Sequence, residues 1–182
     1  MLALATAAAA LTARPFWADG LRFSCTSCGK CCQMDGDVWL APEEIGQISA
    51  HVGVSREAFL AENVRRRLRG WALLKQDEAT GRGCTFLVDG QCSIYDKRPV
   101  QCRTYPFWPS LIDDESGWAD EAVTPDGEPG RSWDLETGGC EGINAPGAPL
   151  VPAAEIAAKR AEARAHWRRF PGWRIKRDTW RL

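Results

Sequence analysis

The chain has 182 residues, a net charge of −1 and 26% charged residues, a balance that excludes a generally basic nucleic-acid binder and a highly charged disordered chain. No apolar run approaches the ~20 residues needed to cross a bilayer, so no transmembrane segment is expected. Eight cysteines and nine tryptophans stand beside only two histidines, while 17 Gly and 11 Pro point to a modest core that something besides packing helps to hold.

Residues 1–20, "MLALATAAAALTARPFWADG", are alanine-rich and carry no charge before Arg14. They read as a flexible arm. The alternative is a leader remnant, with Leu11-Thr12-Ala13 as a weak cleavage-like sequence but no basic n-region. The expected location is cytoplasmic, or an organelle if the segment is a leader. Next comes "FSCTSCGKCC", with Cys25, Cys28, Cys31 and Cys32. Val38-Trp39-Leu40 predicts a short strand. Pro42 opens a helix whose first turn holds Glu43 and Glu44, where the macrodipole favours anions; Ile45, Ile48 and Val52 keep helical spacing and Gly53 ends it. Ser55 caps a second helix carrying Phe59, Leu60 and Val64, and Arg65, Arg66, Arg67 and Arg69 are expected to close it as a solvated helix end. "WALLKQ" and "CTFLVDGQCSIY" read as strands, with Asp89-Gly90 as a hairpin turn between Cys84 and Cys92. Pro99 starts a short helix around Cys102, and Pro106 and Pro109 are expected to stop regular structure. Residues 110–150 are expected to be loop-like, with Cys140 in "TGGCEGIN".

From Pro152 to Phe170 the chain turns helical. Residues 151–182 hold nine Lys and Arg against three acids, a net +6 that leaves −7 on the remainder. This basic tail could meet a protein partner, but its Trp167, Trp173 and Trp180 argue that it packs on its own domain. Holding no cysteine, it is expected to be dispensable for metal binding. Together the segments predict an α+β fold: a small irregular domain of short helices around a β-hairpin, held by cysteine-ligated metal, with a C-terminal basic helix. The organisation expected is a leader or arm over 1–20, a cysteine-cluster metal-binding domain over 21–150 and the basic helical tail over 151–182.

The chemistry is carried by Cys25, Cys28, Cys31, Cys32, Cys84, Cys92, Cys102 and Cys140. A disulfide framework seldom packs half its cysteines into eight residues, whereas Cys-x-x-Cys steps place sulfurs close enough to share a metal. Eight inert thiols packed as small hydrophobes are the competing reading. Two tetrathiolate sites are open to this set, as is one shared cluster. Adjacent side chains diverge, so Cys31 and Cys32 are expected to face different places, Cys31 with Cys25 and Cys28, Cys32 with the distant cysteines. Four thiolates around Zn²⁺ leave about −2, which Lys30, Arg82, Lys97, Arg98 and Arg103 could offset. Asp35 and Asp37 could act as hard ligands to iron, though "MDGD" is more often a turn. Neither His51 nor His166 is placed to activate a thiol nucleophile, and no nucleic-acid site is evident.

"CTSCGKCC", "VWLAPEEIGQI", "CTFLVDGQCSIYDKRPVQCRTYPFWP" and "CEGIN" together resemble the YkgJ-type CxxCxxCC cysteine-cluster family of zinc- or iron-chelating domains. The resemblance spans residues 23–144 and implies zinc or iron, or an iron–sulfur cluster, as cofactor, with all eight cysteines as ligand candidates. Members are loosely called iron–sulfur oxidoreductases, and a similar cysteine pattern occurs in flagellin lysine N-methylases. This chain has no glycine-rich nucleotide motif for a methyl donor, so the resemblance carries a binding role and no reaction. The two functions expected are a metal-binding protein, its metal structural or held for a partner, and an iron–sulfur electron-transfer component.

Overall fold

A computed structural model describes residues 14–34, 36–76 and 83–172. Phe16–Asp19 forms a 3₁₀ turn, and Trp17 donates its indole N–H to the Ile112 carbonyl at 3.0 Å. The segment expected as a leader or arm is therefore folded from Phe16 onward, while Met1 to Ala13 lie outside the described residues. Strand β1 (Leu21–Arg22) leads into the cysteine loop and the short helix α1 (Lys30–Gln33). Strand β2 (Trp39–Leu40) precedes helix α2 (Pro42–Val52), which has proline in its first turn and ends on left-handed Gly53, as its sequence predicts. Helix α3 (Arg56–Asn63) is capped by Ser55, whose hydroxyl accepts from the Ala58 N–H.

The arginine run departs from expectation. It forms strand β3 (Val64–Leu68), an edge strand paired antiparallel to β4 (Trp71–Leu74), and β2 flanks β4 on the other side. Arg65 reaches across to Asp37 at 2.5 Å, so strand pairing and an ion pair override the helical reading of the run. Strands β5 (Leu87–Val88) and β6 (Gln91–Cys92) make the hairpin, with Asp89 and Gly90 both at positive φ as an Asp-Gly turn requires. Helix α4 (Val100–Thr104) follows Pro99 and carries Cys102.

Regular structure does not stop at Pro109. That proline occupies the first turn of helix α5 (Pro109–Ile112), where its missing N–H costs nothing. Helix α6 (Glu115–Glu121), capped by Asp114, lies inside the stretch expected to be loop. Its one buried residue, Trp118, gives no helical periodicity to read. Strand β7 (Leu150–Val151) pairs with β1, and helix α7 (Ala153–Arg169) closes the described chain.

The result is a small irregular α+β domain with three apolar clusters. Leu40, Ile45, Ile48, Phe59, Leu74, Phe86 and Ile94 pack beneath the hairpin, with Cys84 and Cys92 against them. Leu21, Phe107, Ile112, Trp118, Ile143 and Ile156 form a second cluster, touched by Cys140. Trp39, Trp71, Leu73, Trp167 and Phe170 form the third. Two of these clusters include α7, through Ile156 in the second and Trp167 with Phe170 in the third, so the basic helix is packed into the body. Trp173 and Trp180 lie outside the described residues.

Beneath α7 sits a buried polar knot. Glu44 on α2 accepts the Ala41 N–H at 2.7 Å and the Val100 N–H of α4 at 2.6 Å. It also stands 3.8 Å from Arg103 and 3.9 Å from the Nδ1 of His166 on α7. Burial pushes the Glu44 carboxyl above its ordinary range. His166 is lowered from 6.5 to about 4, first by burial and then by the Arg169 and Arg103 charges, with Glu43 opposing. Its buried Nε2 has no hydrogen-bond partner among the described residues, so a proton there would find no acceptor.

Two expectations follow. A histidine with a lowered folded pKa contributes stability that is complete above 6.5 and is lost as pH falls toward about 4. Glu44, shifted upward, works the other way as it gains a proton. The unfolding free energy between pH 7 and 4, read from denaturant titrations, should therefore fall less for His166→Gln than for the native chain, by a difference of up to about 3 kcal/mol. Deleting residues 152–182 should abolish the cooperative thermal transition, because it exposes Trp39 and Trp71; a retained transition would show α7 to be dispensable.

Candidate metal centre

All eight cysteines are free thiols drawn from four places in the fold: the loop before and within α1, the hairpin, α4 and the segment after α6. The loop reaches the hairpin through two contacts. The Cys84 N–H donates to the Cys32 carbonyl at 2.7 Å, and Gly29, at φ +71°, lies directly on the hairpin turn. A Cβ at Gly29 would come within 2.3 Å of the Gly90 carbonyl oxygen, so only glycine permits this approach.

The doubled cysteine then faces the hairpin and α4. The neighbouring Cys31 and Cys92 sulfurs, together with burial, raise the Cys32 thiol well above its ordinary value. The same contacts lower Cys31 to about 7 and Cys92 to about 6, with the Arg98 charge assisting both. Burial pushes Cys84 up to about 11 and raises Cys102 well above the ordinary thiol value. Both also feel the charges of Cys31 and Cys92, which places five sulfurs in one electrostatic neighbourhood. As they stand, no three His, Cys, Asp or Glu side chains among the described residues form a group that could hold a metal ion.

The other sulfurs lie to one side. Burial raises Cys140 to about 11, and its neighbouring charges are Cys28 and Cys31. Cys25 is exposed, and its thiol beside Tyr95 raises the phenol's pKa. The sequence pattern pairs Cys31 with Cys25 and Cys28; in the structure the Cys31 charge acts on Cys84 and Cys102 and, together with Cys28, on Cys140.

The cations divide their work. Arg98 stacks on the Tyr95 ring at 3.7 Å and acts on Cys31, Cys92 and Cys102. Arg103 turns away, to Glu162 at 2.6 Å and toward Glu44. Lys30 also turns away, to Asp126 at 2.9 Å and Glu141 at 3.0 Å, and both contacts raise its pKa. Of the acids considered beside the loop, Asp37 pairs with Arg65, while Asp35 and the basic Arg82 lie outside the described residues. His51 is exposed on α2 and His166 is packed under α7 among Glu44, Trp71 and Trp167, so neither serves a thiol. Glu44 is legible in the sequence only as an acid of the first helical turn, and Glu141 is not singled out there, since a lone glutamate carries no pattern.

The donor set is chemically narrow. Soft thiols, two of them lowered in pKa by a neighbouring thiol and by Arg98, suit zinc or iron and not the hard cations that prefer oxygen. Fold and donors together define a small cysteine-rich chelating domain. The chain belongs to the CxxCxxCC family, described as "Putative zinc- or iron-chelating domain", whose model matches residues 24–124. Cys140 and Glu141 lie beyond that stretch. No solved structure matches the chain, and no helix among the described residues is long and apolar enough to cross a membrane.

Gly29→Ala should lower the metal content of reduced protein, because the loop must back away from the hairpin and carry Cys28 and Cys31 with it. Gly36→Ala, where a Cβ meets nothing within 4 Å, should leave metal per chain unchanged. Equal metal content in the two variants would show that the Gly29 contact does not set the site.

Proposed function

We propose that this domain chelates zinc or iron through thiolates drawn from Cys25, Cys28, Cys31, Cys32, Cys84, Cys92, Cys102 and Cys140. The metal is structural or held for a partner protein, which would meet the basic C-terminal end. One observation carries the reading: the Cys84 N–H donates to the Cys32 carbonyl and Gly29 rests on the Gly90 carbonyl, so the clustered cysteines lie against the hairpin that carries Cys84 and Cys92. Chelation requires deprotonated sulfur. The neighbouring Cys32 and the Arg98 charge lower both Cys31 and Cys92, which favours thiolate there, whereas burial raises Cys84, Cys102 and Cys140. Eight unpaired thiols support a reducing compartment such as the cytoplasm.

Two shells remain consistent with this geometry, one around Cys31, Cys32, Cys84, Cys92 and Cys102, the other on the side of Cys25, Cys28 and Cys140. An iron–sulfur cluster used for electron transfer is the alternative form of the same thiol chemistry. Metal analysis and a visible spectrum of anaerobically purified protein decide among these forms, since zinc thiolate is colourless and an iron–sulfur cluster is brown. Structural zinc in small motifs contributes about 10–16 kcal/mol at neutral pH, against a typical domain stability of about 5–15 kcal/mol. Chelation of the metal under reducing conditions should therefore remove the cooperative thermal transition. Metal-free protein as isolated, or a transition that survives the chelator, would sink the proposal.

A further inference from the structure

The segment that follows Cys140 does more than deliver that cysteine. Glu141 accepts a hydrogen bond from the Thr26 hydroxyl at 2.9 Å with one carboxylate oxygen and from the Lys30 ammonium at 3.0 Å with the other. Cys28 lies between these two residues in the loop. One side chain thus holds two residues of the cysteine loop, one on either side of Cys28 and each over 110 positions away along the chain. Its side chain and that of Lys30 are 14% and 13% exposed, which sets this pair apart from the solvated ion pairs of the surface.

The backbone supports the same junction. The Ser24 N–H donates to the Gly142 carbonyl, the Asn144 N–H donates to the Arg22 carbonyl, and Phe23 bridges Ile143. At Gly142 a Cβ would lie 2.1 Å from the Ser24 carbonyl oxygen, so the two segments are pressed together immediately beside Glu141. Lys30, which by its place in the sequence could offset thiolate charge, is instead committed to Glu141 and Asp126.

We propose that Glu141 is a positioning residue of the chelating site, a clasp that fixes Cys28 and the loop around it relative to Cys140. The inference rests on the chelation reading above and adds a residue beyond the matched family stretch. Carboxylates that orient ligands from behind typically cost about 10–100-fold in metal affinity when removed.

The test is a Co²⁺ titration of the full reduced chain, reading both affinity and the absorption bands of cobalt–thiolate. Glu141→Ala should weaken binding by about 10–100-fold and shift the ligand-field bands. Glu141→Gln should fall between, because its amide oxygen still accepts from Thr26 but cannot pair with Lys30. Thr26→Val combined with Lys30→Met attacks the clasp from the loop side and should reproduce the Glu141→Ala spectrum, which covers the case in which Glu141→Ala fails to fold. A merely structural role would lower the thermal midpoint yet leave the bands of bound cobalt in place. Unshifted bands and native affinity in either the Ala variant or the loop-side pair would overturn the clasp. A native chain with no cobalt–thiolate absorption would instead overturn the chelation reading, and the clasp with it.

Discussion

The contact on which the rest of the site depends is the one between the cysteine loop and the hairpin turn. Gly29 rests on the Gly90 carbonyl without a side chain between them, and Cys84 donates its N–H to Cys32. Those two contacts bring sulfurs from residues 31 and 32 to sulfurs from 84 and 92. Without them the four clustered cysteines would be a local turn with no closing ligands. The hairpin is itself held by the first apolar cluster, where Phe86 stacks on Phe59 at 6.1 Å and Ile94 is buried. Core packing therefore reaches the thiols through a single turn of backbone.

The α4 helix brings the next sulfur by a different means. It is too short to be stable alone, and buried polar side chains fasten it. Gln101 accepts the Trp39 N–H at 3.3 Å and donates to the Asp37 carbonyl at 2.9 Å, while Glu44 takes the Val100 N–H at its first turn. An acceptor at that position satisfies a donor that the helix itself cannot. Burying Glu44 is costly, and its raised pKa records the cost. Arg103 and His166 close over it, so α7 acts as the lid of the anchor that places Cys102.

Charge is sorted around the thiols with similar economy. Arg98, held on Tyr95, is the cation directed at the sulfurs, whereas Arg103 and Lys30 are consumed by carboxylates. The side near Arg98 favours thiolate, and the side near Glu141 presents an anion to Cys28. The two ends of the cysteine cluster are thus electrostatically unlike, a difference that counting basic residues along the chain does not reveal.

Much of this could be read from the sequence. Helix α2 announced itself through Pro42, Glu43, Glu44, the apolar spacing and Gly53, because each signal is local and they agree. The Asp89-Gly90 turn was equally plain, since few residues accept positive φ at both positions. The chelating family was legible in the clustered cysteines, because thiols in such spacing have few other uses. Where tertiary contacts compete with local preference, the sequence was silent or misleading. Arg65 to Arg67 could close a helix or line an edge strand, and pairing with β4 and Asp37 decided for the strand. Helix α6 hides behind one buried tryptophan and an aspartate cap. The turning away of Lys30 and the hold of Glu141 on Thr26 and Lys30 join residues more than a hundred positions apart. Residue types and local spacing determined what chemistry this chain can perform. Only the folded arrangement decided which sulfurs meet, because that depends on the approach of segments whose attraction is written in no local pattern.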